Sequence, residues 1–156
     1  MIVYRLSKEK HVSECLTGIG AEKAGGRWNK KGIPAVYTAG STSLAILETI
    51  VHCQFISELY NRFVLTIEVP DDSIDELDQS KFPPDWNRTP CPVYTVNEGT
   101  KWIQSKVSLI LKLPSAIVKS ESIFLINPAH NDHSRIKMLQ KEIFSPDHRL
   151  ILLPAS

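Results

Sequence analysis

The chain has 156 residues, the size of one domain and enough to build a hydrophobic core without covalent cross-links. Its formal net charge is +1, so no broad basic field indicates nucleic-acid binding. The three cysteines, Cys15, Cys53 and Cys91, form no Cys-x-x-Cys pair, which argues against a disulfide framework or a zinc site. The first residues lack the apolar core of a signal peptide, and no apolar run approaches a membrane span. We therefore expect one domain over residues 1–156 in the reducing cytoplasm.

The first third of the chain predicts two strands and two helices around a glycine-rich loop. Residues 2–6 read as a strand, and residues 7–15 as a short helix capped by its first serine. Residues 18–26 contain four glycines and are predicted to be loop. A short apolar strand over residues 36–38 then leads into a helix over residues 41–54, whose start offers several N-cap side chains.

One charged residue stands out in this predicted helix. The apolar positions at helical spacing are Leu44, Leu47, Val51 and Phe55, widened by Ile46, Ile50 and Cys53. We expect that face to be buried. Glu48 falls at its margin, one turn before His52, and is the only formally charged side chain between Lys31 and Glu58. A carboxylate in such an apolar run is costly to bury without a partner or a function.

The rest of the chain predicts a mixed α+β domain. Residues 63–69 alternate like a strand, and the acidic residues 71–78 read as a solvated loop. A helix is expected over residues 97–106, with Trp102 and Ile103 inward. Further strands are predicted over residues 107–113, 115–118, 122–126 and 149–153. These elements sum to a single compact domain built on a mixed, mostly antiparallel sheet.

Three side chains suggest one pocket. Arg27 follows a glycine pair that permits close backbone approach, Tyr37 lies in the short strand, and Glu48 lies on the helix. Two of them have a more ordinary interpretation, Arg27 as a solvated loop arginine and Tyr37 as a core tyrosine. The isolation of Glu48 among apolar neighbours makes a functional role as plausible as a structural one. Ser115, after a proline, is ordinarily a turn residue, and His52 is ordinarily on the surface of a helix.

Other site classes lack support. The glycine-rich segment has neither Gly-Lys-Ser/Thr nor Gly-x-Gly-x-x-Gly, so a Walker loop or a conventional dinucleotide fold is not indicated. His130 and His133 look like a metal pair, but no third ligand has supporting spacing, so we predict no metal site. No nucleophile motif of the Gly-x-Ser-x-Gly type is present.

Several motifs, in order along nearly the whole chain, resemble the RES domain family. They occupy residues 25–29, 36–39, 44–48, 113–116, 125–130 and 145–150. The resemblance implies a fold like that of ADP-ribosyltransferases. It also implies a toxin of a two-gene toxin–antitoxin module, whose partner is an Xre-type helix-turn-helix antitoxin that covers the pocket. The implied activity is destruction of NAD by hydrolysis or phosphorolysis, although some members transfer ADP-ribose to a protein. A homodimer is also implied.

The resemblance carries the family's arginine, tyrosine and glutamate over to Arg27, Tyr37 and Glu48. The family's serine carries over to Ser115, less directly because loop lengths vary before it. Asn131 stands where the family has a proline, a departure outside the proposed pocket.

One segment has two interpretations. Residues 135–144 have helical spacing and good helix formers, whereas the resemblance implies a strand there, which we therefore prefer.

The chemistry of NAD cleavage gives each residue a predicted role. Breaking the nicotinamide–ribose bond develops positive charge on the sugar, which Glu48 would stabilise. Arg27 would bind the pyrophosphate, and Tyr37 would stack on the cationic nicotinamide ring. Ser115 would contact the ligand or hold the carboxylate in place. His52 could line the cleft. NAD is thus expected as substrate, with no cofactor.

Three functions remain open from the sequence. The first is NAD degradation, and the second is ADP-ribose transfer to a protein through the same pocket. The third is a nucleotide-binding module or an RNA-cleaving toxin, which the near-neutral charge and the lack of basic, aromatic-rich stripes disfavour.

Overall fold

One seven-stranded sheet organises the fold in a computed structural model that describes residues 1–150. The strands are β1 (Ile2–Lys8), β2 (Val36–Ala39), β3 (Arg62–Glu68), β4 (Ile74–Glu76), β5 (Ile110–Pro114), β6 (Ser122–Ile126) and β7 (Lys137–Phe144). Their spatial order is β4-β5-β6-β2-β1-β3-β7. Only the β4–β5 pair is parallel, and the other pairs are antiparallel. The predicted α+β class with a mixed, mostly antiparallel sheet is confirmed.

Short helices cover this sheet. The α-helices in residues 1–150 are α1 (Ile19–Ala24), α2 (Thr42–Ile50) and α3 (Val93–Ser105). Short 3-10 helices occur at Glu9–Glu14, Ile56–Leu59, Gln79–Lys81 and Asn131–Arg135. No helix of this described part has both the length and the apolar character needed to cross a bilayer.

The core lies on both faces of the sheet, because successive strand residues point to opposite sides. On β6, Ile126 joins one buried cluster with Val3 and Ile67, while Leu125 joins the other with Leu44. Full burial of each such side chain stabilises the fold by about 1.5–3 kcal/mol. The second cluster also contains Trp28, and it supports the elements that carry the candidate site.

Several sequence predictions are confirmed. The strands expected at residues 2–6, 36–38, 63–69 and 122–126 correspond to β1, β2, β3 and β6. Trp102 and Ile103 of α3 are buried, at 5% and 3% exposure. The helical spacing of residues 135–144 was misleading, because β7 pairs there with β3 as the resemblance implied. Its side chains are exposed up to Ile143, so their pattern does not record a buried face.

The predictions for residues 7–15 and 18–26 were partly wrong. Ser7 belongs to β1 and caps nothing; the following 3-10 turn begins after Lys8 without a side-chain cap. The glycine-rich segment contains α1, which begins after Gly18 at a φ of 76°. That backbone angle favours glycine, so the glycine marks the start of a helix within the expected loop.

Helix α2 differs most from the sequence prediction. Ser41 caps it by accepting a hydrogen bond from the Leu44 N–H, as expected, but it ends at Ile50. Leu44 and Ala45 are buried. The rest of the predicted buried face is less buried: Leu47 is 39% exposed, Val51 55% and Phe55 63%, and the widening positions Ile46, Ile50 and Cys53 are half-buried. Only the first turn of α2 fully buries its apolar side chains, and α2 packs on β1 and β2. The helical spacing therefore identified an apolar face, but it could not show which part of that face packs against the sheet.

Four further expectations were wrong in detail. Residues 115–118 form a turn, and the acidic loop contains β4, which pairs with β5. The strand expected from residue 107 begins at Ile110, since Val107 is 69% exposed. Residues 149–150 are not strand, and residues 151–153 of the predicted closing strand lie outside the described part.

Candidate active site

Glu48 and Ser115 form a direct side-chain pair. Helix α2 presents the half-buried carboxylate, and the turn after β5 presents the fully buried serine. Ser115 Oγ donates to Glu48 Oε1 at 2.7 Å and accepts from the N–H groups of Ile117 and Val118 at 3.1 and 3.0 Å. Because the hydroxyl oxygen accepts two backbone donors, its single hydrogen points to the carboxylate. Ser115 therefore holds Glu48 in one orientation.

The Glu48 carboxylate has no cationic partner within residues 1–150. Its second oxygen, Oε2, makes no hydrogen bond in this part of the chain. A fixed carboxylate whose charge is not neutralised can stabilise positive charge on a bound ligand.

Arg27 is positioned by backbone carbonyls. Its Nη1 donates to the carbonyl oxygens of Trp86 and Arg88 at 2.9 and 3.0 Å. No carboxylate of the described residues forms an ion pair with it. The guanidinium is therefore oriented while its charge remains available to an anion.

The Tyr37 hydroxyl joins β2 to the loop that carries Arg27. It donates to Asn29 Oδ1 at 2.7 Å and accepts from the Trp28 N–H at 3.0 Å. Burial raises the pKa of Tyr37 well above its usual range, so the hydroxyl stays protonated at neutral pH. A β-carbon on Gly26 would lie 2.5 Å from this hydroxyl, so the loop approaches Tyr37 closely only because residue 26 is glycine. The structure thus gives Tyr37 a positioning role that the sequence did not suggest.

Sequence reasoning missed Asn29, which is 1% exposed. Its Nδ2 donates to the carbonyls of Ala21 and Ile33 at 2.9 and 2.8 Å, while Oδ1 accepts from Tyr37. A buried amide with its hydrogen bonds satisfied fixes the local backbone. Its place directly after Trp28 in the glycine-rich motif was the available signal.

Trp28 anchors the same loop by packing. It is fully buried and lies 5.7 Å from Phe82 and 6.3 Å from Trp86 between ring centroids. Trp86 also supplies a carbonyl to Arg27, so the aromatic cluster and the arginine are fixed together.

The predicted residues lie on one face of the sheet. Trp28, the neighbour of Arg27, belongs to the same core cluster as Leu44 of α2, and Tyr37 packs against that cluster. Glu48 follows Leu44 by one turn on α2. Arg27, Tyr37, Glu48 and Ser115 are therefore carried by elements around a common core.

His52 is not brought to the pair. Helix α2 ends before it, and its backbone N–H donates to the Thr49 carbonyl in the terminal turn. The side chain is exposed. The helical spacing from Glu48 assumed a helix to residue 54, so the expected one-turn relationship does not hold.

The paired histidines have structural roles. His130 Nδ1 accepts from the Asp132 N–H, and His133 Nε2 donates to the Leu16 carbonyl at 3.0 Å. Residues 1–150 contain no cluster of three or more His, Cys, Asp or Glu side chains suited to a metal ion.

Comparison with known proteins identifies the family of the chain. The family model described as "RES domain" matches residues 2–150. A protein named "Toxin Res" from Yersinia enterocolitica is 40% identical over 96% of this chain and 99% of its own length. "Toxin Res" from Photorhabdus laumondii is 40% identical, covering 97% of both chains. A "Prs ADP-ribosylating toxin" from a Sphingobium species is 39% identical over 87% of this chain and 86% of its own length. With its glycine-rich loop, Tyr37 strand and Glu48 helix assembled on one sheet, the chain belongs to the RES domain family.

Proposed function

We propose that this chain is a toxin that degrades NAD by cleaving the bond between nicotinamide and ribose. The observation that carries the proposal is the Glu48 carboxylate, held by Ser115 at 2.7 Å and without a cationic partner in residues 1–150. The relatives named as toxins support the biological role. Arg27, oriented by two carbonyls and without a carboxylate partner among the same residues, supports binding of an anionic substrate.

In this proposal the chain works through charge and position. The nicotinamide–ribose bond breaks heterolytically, and the bonding electron pair leaves with the neutral nicotinamide. The ribose then carries the positive charge of an oxocarbenium-like transition state. Glu48 faces that charge, and its fixed orientation lowers the reorganisation needed during reaction. Water adds to the ribose carbon and loses a proton, giving ADP-ribose; with phosphate as acceptor the product is the 1-phosphate.

Arg27 has a separate task in this scheme. Its guanidinium binds the pyrophosphate of NAD through charge-assisted hydrogen bonds. Tyr37 and Asn29 keep the arginine loop in place, and the Tyr37 ring remains the predicted surface for the nicotinamide.

The test is an NAD time course with product identification, with and without phosphate. We expect the Glu48→Gln variant to consume NAD at least about 100-fold more slowly, as removal of one electrostatic contact to a transition state commonly does. Glu142→Gln, on the exposed strand β7, is the matched control and should match the parent. Equal rates for Glu48→Gln and the parent would disprove the assignment.

ADP-ribose transfer to a protein is the second candidate. It is favoured by the name of the Sphingobium relative, an ADP-ribosylating toxin. It uses the same bond cleavage, but a protein side chain replaces water as the acceptor. Incubation of labelled NAD with a bacterial lysate separates the two: a labelled protein band supports transfer, and free labelled ADP-ribose supports degradation.

The partners expected from the family are also proposals. An Xre-type antitoxin or a second copy of the chain would find exposed apolar side chains on α2 and just after it, at Leu47, Val51 and Phe55. The test is to look for a helix-turn-helix gene beside the gene of this chain, to co-express the two, and to determine the assembly by size-exclusion chromatography. A monomeric chain that forms no complex with that gene product would contradict both the antitoxin and the dimer proposals.

A further inference from the structure

A basic cavity lies beside β1. Its volume is about 380 Å³, within the range of small-molecule sites. Its lining includes the ionisable side chains of Arg5, Lys8, His11, Glu14, Lys23 and Arg62. Arg27, Tyr37, Glu48 and Ser115 are absent from this lining.

The charge of the lining is strongly one-sided. The lining contains one carboxylate, Glu14, and four side chains with a positive charge: Arg5, Lys8, Lys23 and Arg62. The whole chain, by contrast, carries a net charge of only +1. None of the four cations forms an ion pair within residues 1–150. This concentration of positive charge in a concave site attracts anions.

A second carboxylate lies nearby but is already engaged. Glu58 is close enough to Lys8 and Arg62 to feel their charge, and its pKa is lowered chiefly by the N–H groups of Phe55 and Gln54. Those two N–H groups donate to Glu58 Oε1 at 3.0 and 2.7 Å. Glu58 is therefore bound to the backbone and only partly offsets the cations.

Arg5 is a mostly buried cation at this cavity. Its Nη1 donates to the Tyr37 carbonyl at 2.9 Å, while its buried Nε has no hydrogen-bond partner in the described part of the chain. Burial lowers the pKa of Arg5, but an arginine starts so high that it remains charged. The Arg5 guanidinium therefore contributes a fixed positive charge to the cavity lining.

Arg62 shares the environment from β3. It is 9% exposed, and its Nε donates to the Glu58 carbonyl at 2.7 Å, which fixes the direction of its guanidinium. Lys8 and Lys23 are exposed and can move to meet a ligand. The cavity therefore offers an anion two guanidinium groups of fixed orientation and two ammonium groups that can adjust to it.

We infer that this cavity binds the phosphate group of a small phosphorylated molecule, at a site separate from the candidate active site. Guanidinium groups match phosphate oxygens through forked hydrogen bonds, and lysines supply point charges. Four cations suit more than one negative charge, so pyrophosphate binds more tightly than inorganic phosphate.

The test is isothermal titration calorimetry, which measures the affinity of the full chain for pyrophosphate and for phosphate. A chloride salt keeps the ionic strength constant. The Lys8→Gln/Lys23→Gln double variant removes two exposed cavity charges. We expect it to bind pyrophosphate at least about tenfold more weakly, a loss of roughly 1.4 kcal/mol. The control Lys106→Gln/Lys119→Gln removes two exposed lysines outside the cavity and should bind like the parent.

A third variant separates this cavity from the candidate active site. Arg27→Gln removes the guanidinium that is proposed to bind the pyrophosphate of NAD. Any pyrophosphate binding at that site is then lost, and the binding that belongs to the cavity should remain. Failure of NAD cleavage by the parent would leave these binding results unaffected, so the two proposals fail independently. Arg5→Gln should also lose binding, and its thermal unfolding without ligand shows whether it folds.

Three results would overturn the inference: no binding by the parent, equal binding by the parent and the Lys8→Gln/Lys23→Gln variant, or loss of all pyrophosphate binding in Arg27→Gln.

Discussion

Ser115 Oγ and Glu48 Oε1 lie 2.7 Å apart across 67 positions of sequence. The serine hydroxyl also accepts from the N–H groups of Ile117 and Val118, so the same atom closes a turn and orients the carboxylate. The sequence left open whether Ser115 contacts the ligand or holds Glu48; the observed contact is with Glu48.

Ser115→Ala should therefore lower kcat more than it raises KM for NAD. Without the hydroxyl, Glu48 is free to rotate, and misplacement of a catalytic group by about 1 Å can cost roughly 100-fold. We expect kcat to fall by about 10- to 100-fold, measured by initial rates over a range of NAD concentrations. Ser120→Ala, at an exposed position of the same connection, should leave kcat unchanged. A parental kcat in Ser115→Ala would show that the hydroxyl is not needed to orient the carboxylate.

Arg27→Lys should weaken NAD binding. A lysine keeps the charge but cannot donate to the Trp86 and Arg88 carbonyls while presenting a second forked edge to a phosphate. We expect KM to rise by about tenfold, the loss of one charge-assisted hydrogen bond of roughly 1.5 kcal/mol. Arg88→Lys is the matched control, because Arg88 offers Arg27 only its backbone carbonyl. A similar rise in KM for both variants would assign the effect to general charge in this loop.

The sequence predicted the strands of the sheet better than it predicted helix α2. In β3, Leu65 and Ile67 are buried on one side, and alternation along a strand is a local property. In α2 the apolar pattern extends to Phe55, but the chain buries only the first turn. Which part of an apolar face finds a neighbour depends on the length of the strands beneath it, which local spacing does not encode.

In the candidate site, too, the sequence predicted some features and not others. Arg27, Tyr37 and Glu48 were identifiable because each lies in a short motif. The hydrogen bond from Tyr37 to Asn29 joins a strand to a loop 8 positions away. The carbonyls that hold Arg27 lie in a loop 59 to 61 positions away. Such contacts follow from the tertiary fold, so no periodicity could reveal them.

Tyr37→Phe should destabilise the fold in a pH-dependent way. Loss of the hydroxyl leaves the Trp28 N–H and Asn29 Oδ1 without that partner, which costs about 1–3 kcal/mol of unfolding free energy. Burial raises the pKa of folded Tyr37 above its ordinary value of 10.0. The difference in unfolding free energy between the parent and Tyr37→Phe is therefore fully present below pH 10. It declines as the pH rises above 10, because the tyrosine of the unfolded chain ionises before that of the folded chain.

Urea unfolding of the parent and of Tyr37→Phe from pH 7 to 11 measures this difference. Tyr60→Phe, at a tyrosine 51% exposed, is the control and should track the parent below pH 10. A stability gap between parent and Tyr37→Phe that stays constant up to pH 11 would contradict a protonated, buried hydroxyl.

Gly26→Ala and Gly20→Ala should have opposite effects on the stability of the same segment. A β-carbon at residue 26 would lie 2.5 Å from Tyr37 Oη and 2.8 Å from Asn29 Oδ1, whereas one at residue 20 meets nothing within 4 Å. Gly26→Ala must therefore displace the Arg27 loop, and we expect it to lower the melting temperature and NAD turnover together. Gly20→Ala, inside helix α1, should stabilise the chain by about 0.4–1 kcal/mol, because alanine restricts the unfolded state. Thermal unfolding and NAD assays on both variants check this, and a Gly26→Ala variant with parental turnover would mean that the close approach to Tyr37 does not position Arg27.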